Sequence, residues 1–164
     1  MPLSVDELVL SYRKDFGSYH NHKEQMAYGA AVLYLASAAW VIVQAEQIWK
    51  WHLPPVAVVS LLGVSAAAAF AFVRWQLRNR ERAADIVSAC TTLAAQLVSG
   101  ASMSESVISV EYEGNVFPKP LADELDRIAR SRKPLAGARI SEFITYVVMA
   151  AWSLAALVSL CRAA

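Results

Sequence analysis

The stretch LPPVAVVSLLGVSAAAAFAFV, residues 53–73, contains no charged side chain and decides the fold class of this chain. As a helix it would be roughly 31 Å long, enough to cross a hydrocarbon core about 30 Å thick. A helix of this length in a soluble core would carry a polar stripe, but here the polar side chains are Ser60 and Ser65. The stretch therefore predicts a transmembrane helix.

Two further apolar stretches, residues 26–43 and 140–161, carry between them one charge, Glu142. The whole chain is 57% hydrophobic and 18% charged, whereas soluble domains are about half apolar and a quarter charged. The sequence predicts an all-α integral membrane protein with three transmembrane helices, at residues 26–43, 53–73 and 140–164. A small, mostly helical cytoplasmic region and an N-terminal amphipathic helix complete the predicted fold.

Basic residues are distributed unevenly along the chain. Three precede the first span, Lys50 stands alone in residues 44–52, and ten lie between the second and third spans. Because cytoplasmic loops are enriched in Lys and Arg, we expect the N-terminus and residues 76–139 in the cytoplasm and the C-terminus outside.

The predicted cytoplasmic part has two helical segments. Apolar residues at helical spacing in residues 1–25 predict the amphipathic helix. After the transmembrane hairpin of residues 26–75, the helix is expected to continue with an apolar stripe that includes Ile86, Cys90 and Leu93. This stripe needs a partner, either the N-terminal helix or neighbouring copies.

The remainder of residues 76–139 is less regular. Residues 107–113 alternate apolar and polar side chains as a strand does, and Gly114 and Asn115 would close that strand and let residues 116–117 pair with it. A helical turn starting at Ser102 competes with this interpretation of residues 107–117. A short amphipathic helix is predicted over residues 121–132, with Asp123, Glu124 and Asp126 on its solvated face.

The sequence contains none of the GxSxG, HExxH, Walker or Rossmann motifs. We therefore expect no enzymatic activity, no catalytic residue and no cofactor. His20 and His22 point about 200° apart on a helix and cannot share a metal ion. They are interpreted as polar residues at the start of the first span, with a pH-sensitive gating role as the alternative.

A basic run precedes the third span and is the most suggestive polar feature. One interpretation is that it binds the phosphates of a nucleotide or nucleic acid. The other is that it contacts anionic lipid and keeps the loop cytoplasmic. The candidate ligand-binding residues are Arg127, Arg130, Arg132, Lys133 and Arg139.

The third span has a face of small and polar residues that makes it the candidate for lining a pore. A ring of Glu142 side chains at the inner mouth of an oligomer would favour cations. Alternatively, Glu142 is an acidic residue at a helix start, where it suits the helix dipole. The candidate pore-lining residues are Glu142, Thr145, Met149, Ser153 and Ala156.

The layout resembles the SLATT group of small bacterial multispan effectors that accompany nucleotide-synthesising defence systems. The likeness lies in the N-terminal helix, the segment YHNHKE at residues 19–24, two close spans joined by a short outer loop, and the long helix after Arg74. The third span and basic loop are similar to the membrane effectors of Hailong-type systems. This resemblance implies a location in the bacterial inner membrane and an oligomer that depolarises the infected cell.

The function hypothesis is a homo-oligomeric, ion-conducting effector of anti-phage defence. Its cytoplasmic region would bind a nucleotide or DNA oligomer, which the resemblance implies is made by a partner nucleotidyltransferase. One alternative is a non-conducting scaffold that recruits a soluble partner through residues 121–132. The other is a holin-like toxin that acts without a ligand. Under the first hypothesis, the chain also binds other copies of itself and membrane lipid.

Overall fold

A computed structural model describes residues 5–51, 54–99, 109–112, 115–131 and 136–163. About 90% of these residues are helical. The elements are α1 (Val5–Val43), α2 (Ala45–Trp49), α3 (Pro55–Val98), β1 (Ser109–Tyr112), β2 (Asn115–Pro118), α4 (Lys119–Ser131) and α5 (Ala136–Ala163).

Three of the helices, α1, α3 and α5, are long and apolar enough to cross a membrane. Helix α1 ends at Val43, where the predicted first span ends, and the following loop includes the single turn of α2. Helix α3 begins at Pro55, a residue suited to the first helical turn because its missing N–H has no partner there. The coarse prediction of a mostly helical protein with three apolar helices is therefore confirmed.

A two-stranded antiparallel hairpin is the departure from an all-α fold. Strands β1 and β2 pair Val110 with Phe117 and Tyr112 with Asn115. The hairpin lies where the sequence left strand and helix open, and β1 falls within the alternating residues 107–113. Residues 107, 108, 113 and 114 lie outside the described part of the chain.

The chain divides into two compact units. We call one the helix–hairpin unit, which comprises Met1–Lys23 and Arg78–Pro134, and the other the apolar unit, which comprises Glu24–Leu77 and Leu135–Ala164. Helices α1 and α3 each contribute residues to both units.

The helix–hairpin unit has a hydrophobic core of its own. The stripe of α3 that includes Ile86, Cys90 and Leu93 packs with Val9 of α1 and Leu121 of α4 in one buried cluster. Around it, aromatic rings approach edge to face, with 5.8 Å between the ring centroids of Tyr12 and Phe117. The partner that the α3 stripe requires is thus supplied within the chain by α1, the hairpin and α4.

The apolar unit has two smaller clusters. In the first, Ala27, Ala31 and Tyr34 of α1 pack with Val73 of α3 and with Met149 of α5. The second joins α2 and α5 and is centred on three residues, Ala45, Ile48 and Leu160. Small residues let helix backbones approach closely, which is how helices associate in lipid.

Candidate functional site

Helix α4 places the first arginines of the basic run. Its Leu121 and Leu125 are buried under the hairpin and α3, and the opposite face of the helix carries Arg127 and Arg130. The side chains of Arg127 and Arg130 line an open surface depression of about 470 Å³, together with Asp123, Asp126 and Ser131.

Arg127 is joined to Glu124 by two hydrogen bonds. Its Nε donates to Oε2 over 2.7 Å, and its Nη2 donates to Oε1 over 2.5 Å. The guanidinium beside Glu124 lowers the pKa of that carboxyl, with a smaller contribution in the same direction from a hydrogen bond with Thr92. This pair links neighbouring turns of α4 and occupies the Nε–Nη2 edge of the guanidinium, one of the edges with which Arg127 would bind a phosphate.

The expectation that Glu124 lies on the solvated face of α4 is wrong, because its side chain is only 8% exposed. Around an ideal helix Glu124 is about 60° from Leu121, so it borders the apolar stripe and is covered when that stripe packs. Asp123, by contrast, is exposed. Burial of a carboxylate requires a charged hydrogen-bonding partner, which Arg127 supplies.

Arg130 forms an exposed pair with Asp126, with 3.0 Å between Nη2 and Oδ2. Arg132 and Lys133 lie outside the described residues, and Arg139 lies in α5 at a position where the side chain is not described. The structure thus brings together two of the five predicted ligand-binding residues, and each of them has an acidic partner on α4.

The predicted pore-lining residues follow α5 through the apolar unit. Met149 and Ala156 are completely buried, whereas Glu142 and Thr145 are half-buried. Thr145 donates its hydroxyl hydrogen to the carbonyl oxygen of Ser141, and Glu142 makes contacts of its own.

Ser153 links α5 to α1. Its hydroxyl donates to the carbonyl oxygen of Met149 over 2.7 Å, so the hydroxyl of Tyr34, 2.5 Å away, donates to Ser153. Farther along α5, the indole Nε1 of Trp49 donates to the carbonyl oxygen of Leu160 over 2.7 Å. In the described conformation, the face of α5 that bears Met149, Ser153 and Ala156 holds the helices of one chain together.

His20 is half-buried and donates from Nδ1 to the carbonyl oxygen of Arg80, 3.1 Å away. His22 is exposed. Within the described ranges, no group of three or more His, Cys, Asp or Glu side chains is placed to hold a metal ion.

The helix–hairpin unit contains a cleft that the sequence interpretation missed. The cleft has a volume of about 410 Å³ and lies between α3, the hairpin and the second half of α4. Its walls are Arg78, Glu81, Arg82, Asp85, Ile86, Tyr112, Asn115, Phe117, Leu125 and Ala129. The helical spacing of the four charged residues was the available signal, but Arg78 and Arg82 were counted only among the ten basic residues that predict a cytoplasmic segment.

Comparison of the chain with protein-family models, with curated proteins and with solved structures found no match.

Proposed function

We propose that the chain assembles into a homo-oligomeric ion channel of the bacterial inner membrane whose open fraction is set by a ligand of the helix–hairpin unit. The role in anti-phage defence, and a nucleotide or DNA oligomer as the ligand, are what the resemblance to SLATT and Hailong-type effectors implies. A ligand shifts the opening equilibrium only by its difference in affinity for the closed and open states.

Two helices supply the main support for ligand control. Both α1 and α3 begin or end in the helix–hairpin unit and supply an apolar, membrane-type segment to the other unit. A change in packing around Val9, Ile86 or Cys90 would therefore act on helices that also form the proposed membrane part. Each unit also has a separate core, so one can rearrange without unfolding the other.

The burial of Met149 and Ala156 favours a pathway between copies of the chain. These two side chains have no exposed surface with which to line a water-filled passage while the three helices stay packed. Glu142 is half-buried near the start of α5 and has surface available to a neighbouring copy. We therefore propose Glu142 as the residue that sets cation selectivity, with Thr145 beside it.

For the regulatory ligand, the remaining candidates in the helix–hairpin unit are Arg130, Arg132 and Lys133, whereas Arg139 belongs to the apolar unit. Arg127 is assigned a structural role in this proposal because its guanidinium is held by Glu124. Replacing Arg130 and Arg132 together by Glu should abolish ligand control without abolishing assembly, because phosphate contacts depend on positive charge. Ligand control that persists in this double variant would place the regulatory site elsewhere.

The burial of α4 counts against the scaffold alternative. Leu121 and Leu125 are 0% and 4% exposed, so the apolar face that would dock a soluble partner is occupied by the core of the unit. Only the charged face of α4 is left for such a partner.

Current recordings on planar bilayers test the proposal. Purified protein should give discrete current steps, and short DNA oligomers or cyclic nucleotides should change their frequency. Glu142→Gln should shift the reversal potential toward lower cation selectivity, whereas Glu46→Gln, an exposed acid on α2, should not. Steps insensitive to every ligand would support the toxin, and bilayers that stay silent with oriented protein would support the scaffold.

A further inference from the structure

The cleft of the helix–hairpin unit presents opposite charges close together. Arg78 and Glu81 are three residues apart on α3, so they are neighbours on one helix face, with Cβ atoms about 5–6 Å apart. Neither forms an ion pair among the described residues. Arg82 and Asp85 continue the alternation one turn later, and each already makes contacts of its own.

The base of the cleft is apolar and partly aromatic. Ile86, Phe117 and Leu125 are 8%, 3% and 4% exposed, so their positions are fixed by the core of the unit. Tyr112 of β1 also lines the cleft, and its half-buried ring has surface that a ligand can reach. Aromatic walls of this kind favour a ring placed edge to face or offset against them.

The charge balance of the cleft selects among ligand classes. Two guanidinium groups and two carboxylates give the wall no net charge, so a polyanion would meet repulsion from Glu81 and Asp85. A ligand that carries a negative and a positive group a few ångströms apart would satisfy Arg78 and Glu81 at the same time. The volume of about 410 Å³ lies in the range of small-molecule sites.

We infer that this cleft binds a small zwitterion with an aromatic ring, the chemistry of a free aromatic amino acid. Arg78 binds the carboxylate, Glu81 binds the ammonium group, and the ring lies against the half-buried ring of Tyr112. This inference does not depend on ion conduction or on the basic run. The outcome of its test is therefore independent of the outcome of the current recordings.

Isothermal titration calorimetry on the full chain in detergent, with L-phenylalanine as the probe, tests whether the cleft binds an aromatic amino acid. Two analogues each remove one charge, L-phenylalaninamide the carboxylate and N-acetyl-L-phenylalanine the ammonium group. Each analogue should bind about tenfold more weakly than phenylalanine, since each loses one charge-assisted contact.

Two variants assign the charged contacts. In Arg78→Ala, phenylalanine should bind about tenfold more weakly, and amidation should cost no further affinity. In Glu81→Gln, N-acetylation should cost no further affinity. The matched controls are Lys14→Ala and Asp123→Asn, which change exposed charges of the same unit outside the cleft and should leave binding unchanged.

A third variant blocks the cleft without touching its charges. Ala129 is exposed and lies on the cleft wall, so Ala129→Trp should fill the space for the ring and abolish binding while the unit stays folded. Binding of nucleoside monophosphates in preference to phenylalanine would overturn the inference. Absence of phenylalanine binding, or equal binding to Ala129→Trp, would overturn it as well.

Discussion

The helix–hairpin unit and the apolar unit use the same kinds of helix but expose opposite surfaces. Among the described residues, the exposed large apolar side chains of the helix–hairpin unit are Leu10, Tyr19, Val98 and Val116. The apolar unit exposes many more, distributed over α1, α3 and α5, and only 6% of the most apolar 18-residue window of α3 is buried. The helix–hairpin unit therefore buries or partly buries most of its described large apolar side chains, whereas the apolar unit exposes many of them.

We propose from this difference that the two units are adapted to different solvents. In water, burial of apolar surface drives packing, and the helix–hairpin unit has the cluster around Leu121 and Cys90 that this requires. Lipid offers no such driving force, so helices are held by close contact of small residues and by hydrogen bonds. The apolar unit has both, in Ala27 and Ala31 and in the bond between Tyr34 and Ser153.

The largest expected effect comes from opening the core of the helix–hairpin unit. Leu121→Ala removes a completely buried side chain and should destabilise that unit by about 2–5 kcal/mol. Hydrogen–deuterium exchange should become faster in residues 86–93 and stay unchanged in the apolar segments of α1 and α5. Val116→Ala, at a position 64% exposed, is the control with little effect. Equal acceleration in both units would contradict their independence.

A smaller, pH-dependent effect is expected at Glu124. Because Arg127 lowers the pKa of this carboxyl in the folded state, its stabilising contribution is full above the ordinary glutamate pKa of about 4.3. The contribution is lost as the pH falls through the lower folded-state value. Glu124→Gln should therefore unfold at lower denaturant concentration than the wild type at pH 7, and the difference should shrink on acidification.

The control for this prediction is Asp126→Asn, which breaks the exposed pair with Arg130. Exposed ion pairs contribute about 0–1 kcal/mol, so its effect at pH 7 should be smaller than that of Glu124→Gln. A difference at Glu124 that grows on acidification would show that the pair does not act as described.

The smallest expected effect tests the apolar unit. Tyr34→Phe and Ser153→Ala each remove the hydrogen bond between α1 and α5, and such bonds contribute about 0.6 kcal/mol in membranes. A double-mutant cycle on unfolding in mixed micelles should give a coupling energy of this size. The carbonyl of Met149 accepts from Ser153, so Ser153→Ala carries a further loss that the cycle removes. A coupling energy near zero would exclude the bond as a link between the helices.

Much of the fold could be predicted from periodicity and length. Stretches with at most one charge marked the three long apolar helices, the stripe of Ile86, Cys90 and Leu93 required a packing partner, and alternation in residues 107–113 pointed to a strand. These patterns are local in the sequence, so they can be recognised without knowledge of the tertiary structure.

The candidate sites could be predicted less well, because their character depends on which faces meet. Glu124 appeared solvated, since one position at the border of an amphipathic stripe can be covered or open. A helix face of small and polar residues, like that of α5, can line a pore or contact another helix. The tertiary structure was needed to show that Met149 lies in a buried cluster. The cleft is formed jointly by α3, the hairpin and α4. The spacing of residues along one helix does not show that these three elements meet.

Two valines allow the most direct test of the claim that the units face different solvents. Val64 in the apolar unit is 67% exposed, and Val116 in the helix–hairpin unit is 64% exposed. Each would be replaced by Cys and spin-labelled in a Cys161→Ser background, where the completely buried Cys90 should stay unlabelled. In proteoliposomes, the label at position 64 should collide mainly with oxygen and the label at position 116 mainly with a water-soluble nickel chelate. Similar collision rates with the nickel chelate at both positions would contradict the account.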